Sequence, residues 1–461
     1  MNRRELIKLA GKVGVLGLVN MGLGRFAESI GMFMDLPAEA ATLPQNYQVT
    51  AGTLWLDAQT SALTTNAKGS GDATVTSTDF TTPGFIRPST ATNALRLNIS
   101  TAGTINTFWT HEWTINQSLD SIGRFHFAYY NPNGWNYTVG GFNCTLGIAT
   151  DNTHTTEYRY KPVSVLPNLS RPGWNLVTMD RATPSAIAGS PTFSTIMTKA
   201  RLFWQLPIGV TGDLYLSPIY INGYNRPKVV FSFDDNVPSQ YDVAFTYMNV
   251  AGRRVPGSLA VIPRADGAGM TLAQLTEMKN AGWSFHSHTN NHTDLPSASE
   301  TVIRAEMTAS QDWLNGRGLT YGRTTMIAPY NNLNSYTEPI LTSLGYTHQV
   351  GWGSQNNNSI VKMWDGLDHP QDIQRVGTDG GATLAALTAQ IDAAVRNGAA
   401  VIFTVHSIKV GAAGAGGTET ETALFQSLVD YAVRLRDSNV LDIVSLQALI
   451  DGLGAGRRPR Y

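Results

Sequence analysis

Gly282-Trp283-Ser284-Phe285-His286-Ser287-His288-Thr289-Asn290-Asn291-His292-Thr293-Asp294-Leu295 places three of the chain's nine histidines within seven residues. Trp283 to Ser287 reads as a short apolar strand, and the histidines gather at and beyond its end. Imidazole is the commonest ligand of zinc-like ions, and two rings three residues apart, His288 and His292, can aim at one point if the backbone between them turns. Two imidazoles do not complete such a site, so a carboxylate from elsewhere is expected. Asp234 and Asp235 answer that need. They follow the apolar run Lys228 to Phe233, which puts both at the mouth of a buried strand.

Similar apolar runs recur downstream: Ser258 to Ile262, Thr324 to Ala328, Thr347 to Gly351, Asp372 to Val376, Ala400 to Val405 and Leu441 to Leu446. Helical stretches alternate with them, at Thr271 to Ala281, Leu384 to Arg396 and Thr420 to Arg436. In the first, Leu272, Leu275 and Met278 mark one face behind an N-cap threonine. Alternating β and α units predict a parallel sheet with helical crossovers, and about eight strands allow a barrel. Asp234, Asp235, His288, His292, Tyr330 and His406 all fall after strand ends, which a parallel barrel brings to one face.

A strand ending in Phe-Asp-Asp, the His-Ser-His-x-x-x-His segment and a late strand ending in His406 together resemble the polysaccharide deacetylase family, also called NodB-homology or carbohydrate esterase 4. The resemblance covers roughly the last half of the chain and implies a distorted (β/α) barrel, commonly of seven strands. It implies a divalent metal, zinc first among the candidates, on Asp235, His288 and His292. Asp234 would be the general base and His406 the acid toward the leaving group, while a peptide N–H near Tyr330, in the Pro329-Tyr330 segment, would face the oxyanion. Two departures stand out. Ile327 occupies the place of the arginine that normally precedes Pro-Tyr and pairs with the base, and the aspartate-rich fourth motif is not legible in Thr347 to Gln355. A substitute cation is therefore expected, with Arg375, near the end of a strand, as the candidate. His286 has no ligand counterpart and reads as structural.

The N-terminal half differs. From about Thr53 to Asn222, period-two alternation recurs at Leu95/Leu97/Ile99, Phe125/Phe127/Tyr129 and Leu202/Trp204/Leu206, split by Gly, Pro and Asn turns. This pattern predicts an all-β sandwich. The expected organisation is therefore an export signal over 1–41, a sandwich over 45–224 and a barrel over 226–461. Trp174 and Trp204, at alternating positions, are expected in the core; Trp135 and Tyr137, in a turn-like stretch, are the candidates for stacking on sugar.

Charged residues make up only 15% of the 461 and the formal net charge is -1, against roughly 25% charged in an average chain. That balance argues against nucleic acid or an anionic membrane as partner and suits a neutral substrate such as a glycan; the resemblance implies an acetylated polysaccharide. Cys144 is the only cysteine, so no intrachain disulfide can form. Arg3-Arg4, a mildly apolar Val13 to Leu23 and Ala38-Glu39-Ala40 resemble a twin-arginine signal, which implies a periplasmic or secreted protein. The apolar run is too short to span a bilayer. The sequence supports a metal-dependent polysaccharide deacetylase. Its competitors are a binding or adhesion protein on a catalytically impaired barrel and a metal hydrolase of small amides or esters. Oligomeric state is not legible.

Overall fold

Strict alternation of apolar and polar side chains produces the N-terminal half. In strand Met197–Leu206, Ala200, Leu202 and Trp204 are buried while Lys199, Arg201 and Phe203 face the other way. The computed structural model describes residues 52–455 except 60–61, 63–64, 69–73, 81–93, 101–106, 132–141, 166–172, 207–210, 224, 264–268, 335, 352–359, 362–372 and 412–416. The export signal, Trp135 and Tyr137 lie outside the described residues. Two antiparallel sheets make the sandwich. One runs in the order Thr53–Leu56, Ile219–Ile221, Arg124–Asn131, Thr211–Leu216, Ala94–Ser100, Thr74–Phe80, with Gly173–Asp180 also paired to Arg124–Asn131. The other runs Ala186–Ala188, Glu157–Val165, Phe142–Ala149, Met197–Leu206, Thr107–Gln117, Thr65–Lys68. Trp109, Trp113 and Trp204 are core residues between them, with Phe125, Phe127, Leu146 and Cys144. Trp174 lies in the strand paired to Arg124–Asn131.

Beyond residue 227 the pattern becomes β1 (Lys228–Phe233), β2 (Ser258–Val261), β3 (Ser284–Ser287), β4 (Thr325–Ile327), β5 (His348–Val350), β6 (Val376–Gly377) and β7 (Ala400–Val405). These strands pair in parallel in the order β5-β4-β3-β2-β1-β7. The segment carrying β6 closes the ring: Ile373 bridges to Val350, and Val376 pairs with Phe403 of β7. Side chains buried on both faces of β1 and β7 account for their continuous apolar runs. Of α1 (Leu272–Asn280), α2 (Glu300–Gly316), α3 (Thr337–Ser343), α4 (Leu384–Asn397) and α5 (Thr422–Asp437), the sequence patterns marked α1, α4 and α5.

Two expected strands are shorter than the sequence suggested. Within Asp372 to Val376 the regular pairing is confined to the bridge at Ile373 and to β6. In Leu441 to Leu446 only Asp442–Ile443 pairs, against the first residues of β1. There the apolar run serves a different purpose. Leu446, Leu449 and Ile450 of α6 (Leu446–Ala455) pack against Val230, Ala260, Ile327, Val350 and Ile402 and plug the barrel at the end opposite the Asp-Asp pair.

Sandwich and barrel meet without an intervening linker. Arg124, buried, donates from Nε to the carbonyl of Arg396 (2.5 Å), which the end of α4 leaves free, and from Nη2 to that of Val395 (3.4 Å), which also accepts from the N–H of Gly398 (3.3 Å). Gly398 follows in the left-handed region (φ 59°), and a Cβ there would lie 2.9 Å from the carbonyl oxygen of Asn225.

Candidate active site

The strand ends of the barrel deliver the candidate residues to one place. Asp235, His288 and His292 each present a ligand atom, and these atoms lie within 4.8 Å of one another. His288 Nε2 and His292 Nε2 stand 3.5 and 3.4 Å from Asp235 Oδ1. His288 is fixed from behind, because its Nδ1–H donates to the carbonyl of Ile327 on β4 (2.7 Å) and leaves the Nε2 lone pair facing the carboxylate. Asp235 Oδ1 is buried and makes no hydrogen bond among the described residues. Two imidazole nitrogens and a carboxylate oxygen converging on one point, one of them otherwise unsatisfied, fit a divalent cation of the zinc type.

Backbone strain surrounds this cluster. Asp235 (φ 79°), Asn236 (58°), Thr289 (61°), His292 (60°), Tyr330 (59°) and Asn331 (53°) all occupy the left-handed region without being glycine. Such conformations persist only where neighbours over-determine them, and the loop after β3 shows how. Glu306 of α2 accepts from the backbone N–H of Asn290 (2.9 Å) and Asn291 (2.8 Å) and from the side-chain amide of Asn291 (2.6 Å). Thr289 Oγ1 accepts from the N–H of Thr293 (2.9 Å). Together these bonds curl the chain so that His292 returns toward His288, with ring centroids 4.9 Å apart.

Asp234 is buried beside the cluster, and the cation facing it is Arg375. Nη1 donates to both carboxylate oxygens (2.8 and 2.9 Å), while Nη2 donates to Asn331 Oδ1 (2.5 Å). Both side chains are only 3% exposed. Burial alone would push the Asp234 carboxyl up; the charge and hydrogen bonds of Arg375 lead the opposing contributions and hold the group below the usual carboxylate range. For Asp235, burial is outweighed by contact with His288 and by the other imidazoles, to about 2.

His406, at the end of β7, donates from Nδ1–H to Asp379 Oδ2 (2.9 Å). Burial opposes its charge, but the bond to Asp379 and the nearby charges of Asp234 and Asp235 prevail and raise its pKa above the ordinary imidazole value. Gln240, fully buried, ties the two strand ends together: its side-chain amide donates to the carbonyls of Asp234 and of His406 (3.1 Å). Tyr330 is 66% exposed, its ring 4.6 Å from that of His292, and Pro329 is buried beneath it. His286 is not part of the site. It is buried in the barrel with Nδ1–H on the carbonyl of Gly322 (3.1 Å), and burial depresses its pKa to about 3.

Asp379, Gln240 and Glu306 escaped the sequence reading. Only Asp379 carried a usable signal, lying in the turn Gly377-Thr378-Asp379-Gly380-Gly381 directly after the strand that supplies Arg375. Gln240 and Glu306 act through backbone groups distant in sequence, which no local pattern reveals.

A parallel barrel with a carboxylate–imidazole triad, a buried carboxylate–guanidinium pair and a carboxylate-anchored histidine at one mouth carries the groups that metal-assisted hydrolysis uses. Residues 222–348 match the family model described as polysaccharide deacetylase. Over that segment the chain is thus similar to polysaccharide deacetylases, hydrolases that act on acetyl groups of polysaccharides. The matched segment holds the triad, Asp234 and Tyr330, whereas Arg375, Asp379 and His406 come after it. No curated protein matches the chain in sequence. Similar solved structures include the Xyl-CE4 domain of a multidomain xylanase from the hindgut metagenome of Trinervitermes trinervoides, 14% identical over 51% of this chain and 95% of that one, TM-score 0.34. The deacetylase PplD of Streptococcus pyogenes is 30% identical over 32% of this chain and 63% of that one, TM-score 0.28. A family 11 carbohydrate-binding module of Clostridium thermocellum is 12% identical over 38% of this chain and 97% of that one, TM-score 0.27.

Proposed function

We propose that the protein catalyses metal-dependent hydrolysis of acetyl groups on a polysaccharide, with Asp235, His288 and His292 holding the metal. The observation that carries this reading is the convergence of those three ligand atoms beside a buried, ionised Asp234. A divalent ion held there, zinc by its donor set, supplies Lewis acidity to the acyl carbonyl and acidity to water. The remaining work falls to the chain. Asp234, kept charged by Arg375, accepts a proton from the attacking water as its oxygen bonds to the acetyl carbon. His406, kept protonated by Asp379, donates from Nε2 to the amine or alkoxide as the C–N or C–O bond breaks and acetate departs. Each positioned acid or base contributes about 10² to 10⁴ in rate. The peptide N–H near Tyr330 would serve the developing oxyanion, and the exposed Tyr330 ring, 4.6 Å from that of His292, offers a flat apolar face for a sugar. The Arg375–Asp234 pair weighs against the alternative of a barrel that only binds glycan, since that alternative drew its force from the arginine missing at Ile327.

Acetate release should be measured on acetylated xylan, chitin oligomers and peptidoglycan fragments, with monomeric esters alongside, before and after chelation. Release that chelator abolishes and added zinc restores supports the reading; glycan binding with no release in any metal-loaded sample refutes it. Replacing both His288 and His292 by alanine is expected to remove stoichiometric metal. Asp234→Asn should retain metal while losing most turnover, and Asp235→Asn should lose the metal; equal metal loss in the two aspartate variants would overturn the division of roles. Export through residues 1–41 belongs to the same proposal and is tested by fractionating cells that carry Arg3→Lys/Arg4→Lys. Among the described residues no helix is long and apolar enough to cross a membrane.

A further inference from the structure

One layer of the barrel interior is polar where an apolar core would be expected. Thr404 of β7 pairs with Ser232 of β1, Ser232 with Ser258 of β2, and Ser258 with Ser284 of β3, so four hydroxyl side chains lie in a single register row. Thr404, Ser232 and Ser258 each stand two residues from an interior apolar residue on their own strand, Ser284 stands two from His286, and all four are buried. Half of the row is satisfied by protein. Ser284 and Ser258 share a hydrogen bond (3.1 Å), Ser258 Oγ accepts from the N–H of Leu446 (2.6 Å), and Ser284 bonds His286 Nε2 (2.8 Å).

The other half is not. Ser232 Oγ and Thr404 Oγ1 are buried without a hydrogen-bond partner among the described residues, and so is Arg375 Nε. Register explains why these three atoms belong together. Val376 pairs with Phe403, so Arg375 starts level with Ile402, yet its guanidinium reaches Asp234, which lies level with His406. The arginine stem must therefore climb past the Ser232–Thr404 pair. A buried donor or acceptor left unmade costs about 1–3 kcal/mol, and three at one level call for a common partner. Ser232, Ser258 and Ala260 carry small side chains, and a polar site with two to four partners is what an internal water requires.

We propose that an internal water is bound between Ser232 Oγ, Thr404 Oγ1 and Arg375 Nε, and that Ser232 and Thr404 are positioning residues that aim Arg375 at Asp234. The water accepts from Arg375 Nε–H and from one hydroxyl and donates to the other. The guanidinium is then held on three sides, by Asp234, by Asn331 and by the water. The water site stands on packing alone; its effect on turnover rests on the reading of Asp234 as the base.

The full-length protein should be crystallised and Thr404→Val, Ser232→Ala and Thr404→Ser assayed in parallel. The expected density is an ordered water about 2.7–3.2 Å from all three atoms; a dry site, or direct contact between the hydroxyls and Arg375, overturns the proposal. Thr404→Val and Ser232→Ala should each lower kcat about fivefold, the worth of one hydrogen bond, with KM unchanged, while Thr404→Ser keeps the wild-type value. Unaltered kcat in both apolar variants, or a loss that Thr404→Ser does not restore, refutes the positioning role. If the metal-loaded wild-type protein releases no acetate, the deacetylase reading fails, and the density decides the water site independently.

Discussion

Asp234 and Arg375 are almost free of solvent, so removing either leaves the other uncompensated. Arg375→Met should destabilise the protein by about 3–5 kcal/mol, as expected for breaking one side of a buried pair, and should raise the Asp234 pKa. A base works in its ionised form, so the acidic limb of the kcat/KM profile is expected to move to higher pH while metal content stays at one equivalent; an unmoved limb refutes the role. His406 predicts the opposite limb. Its raised pKa rests on Asp379, so Asp379→Asn should move the basic limb to lower pH and cut kcat/KM at pH 8 about tenfold. For stability the sign follows from linkage: the pairing contributes fully below the unfolded imidazole value and is lost as pH rises through the raised one. Asp234, with its depressed pKa, contributes above the unfolded carboxylate value and loses that contribution as pH falls. Asp234, Asp235, His288, His292 and His406 were legible because each follows an apolar strand. Asp379 was not, because its partner is set by the path of a turn.

At the scale of elements, the loop between β3 and α2 makes two histidines three residues apart into neighbours. Glu306 ties that loop down at Asn290 and Asn291. Glu306→Ala is therefore expected to leave α2 intact, since Ile303, Met307 and Leu314 still bury its inner face, but to weaken metal retention about tenfold in a chelator competition. Retention equal to wild type would show that the loop holds its curl without Glu306. The helix itself was readable in principle: Ser299 caps it, and Ile303, Met307, Ser310 and Leu314 recur at helical spacing. The small polar Ser310 within that stripe, facing Ser287 on β3 (2.8 Å), interrupts the apolar signal. Leu441 to Leu446 misled for a different reason. A short apolar run suits a strand and the start of a core helix equally, and only the plugging of the barrel by α6 decides between them.

For the molecule as a whole, the seam between sandwich and barrel is built from buried polar groups. Arg124→Ala should leave the carbonyl of Arg396 at the end of α4 unmet and cost about 1–3 kcal/mol in urea unfolding, and Gly398→Ala should add strain against Asn225. A full-strength transition in both variants would mean that the halves are fastened elsewhere. The alternation that announced two fold classes was plain in the sequence, whereas the seam depends on residues more than 170 positions apart and left no local trace. Finally, β1 is an inner strand of the barrel, flanked by β2 and by β7, yet β7 begins 172 residues further along the chain (400 against 228) and is synthesised that much later. While the nascent chain is still emerging, the edge of β1 that ends in Asp234 and Asp235 stays bare, a template for pairing with other chains. Translation that stalls before residue 400 should therefore give an aggregating product, and β7 acts as the chain's own guard against self-association.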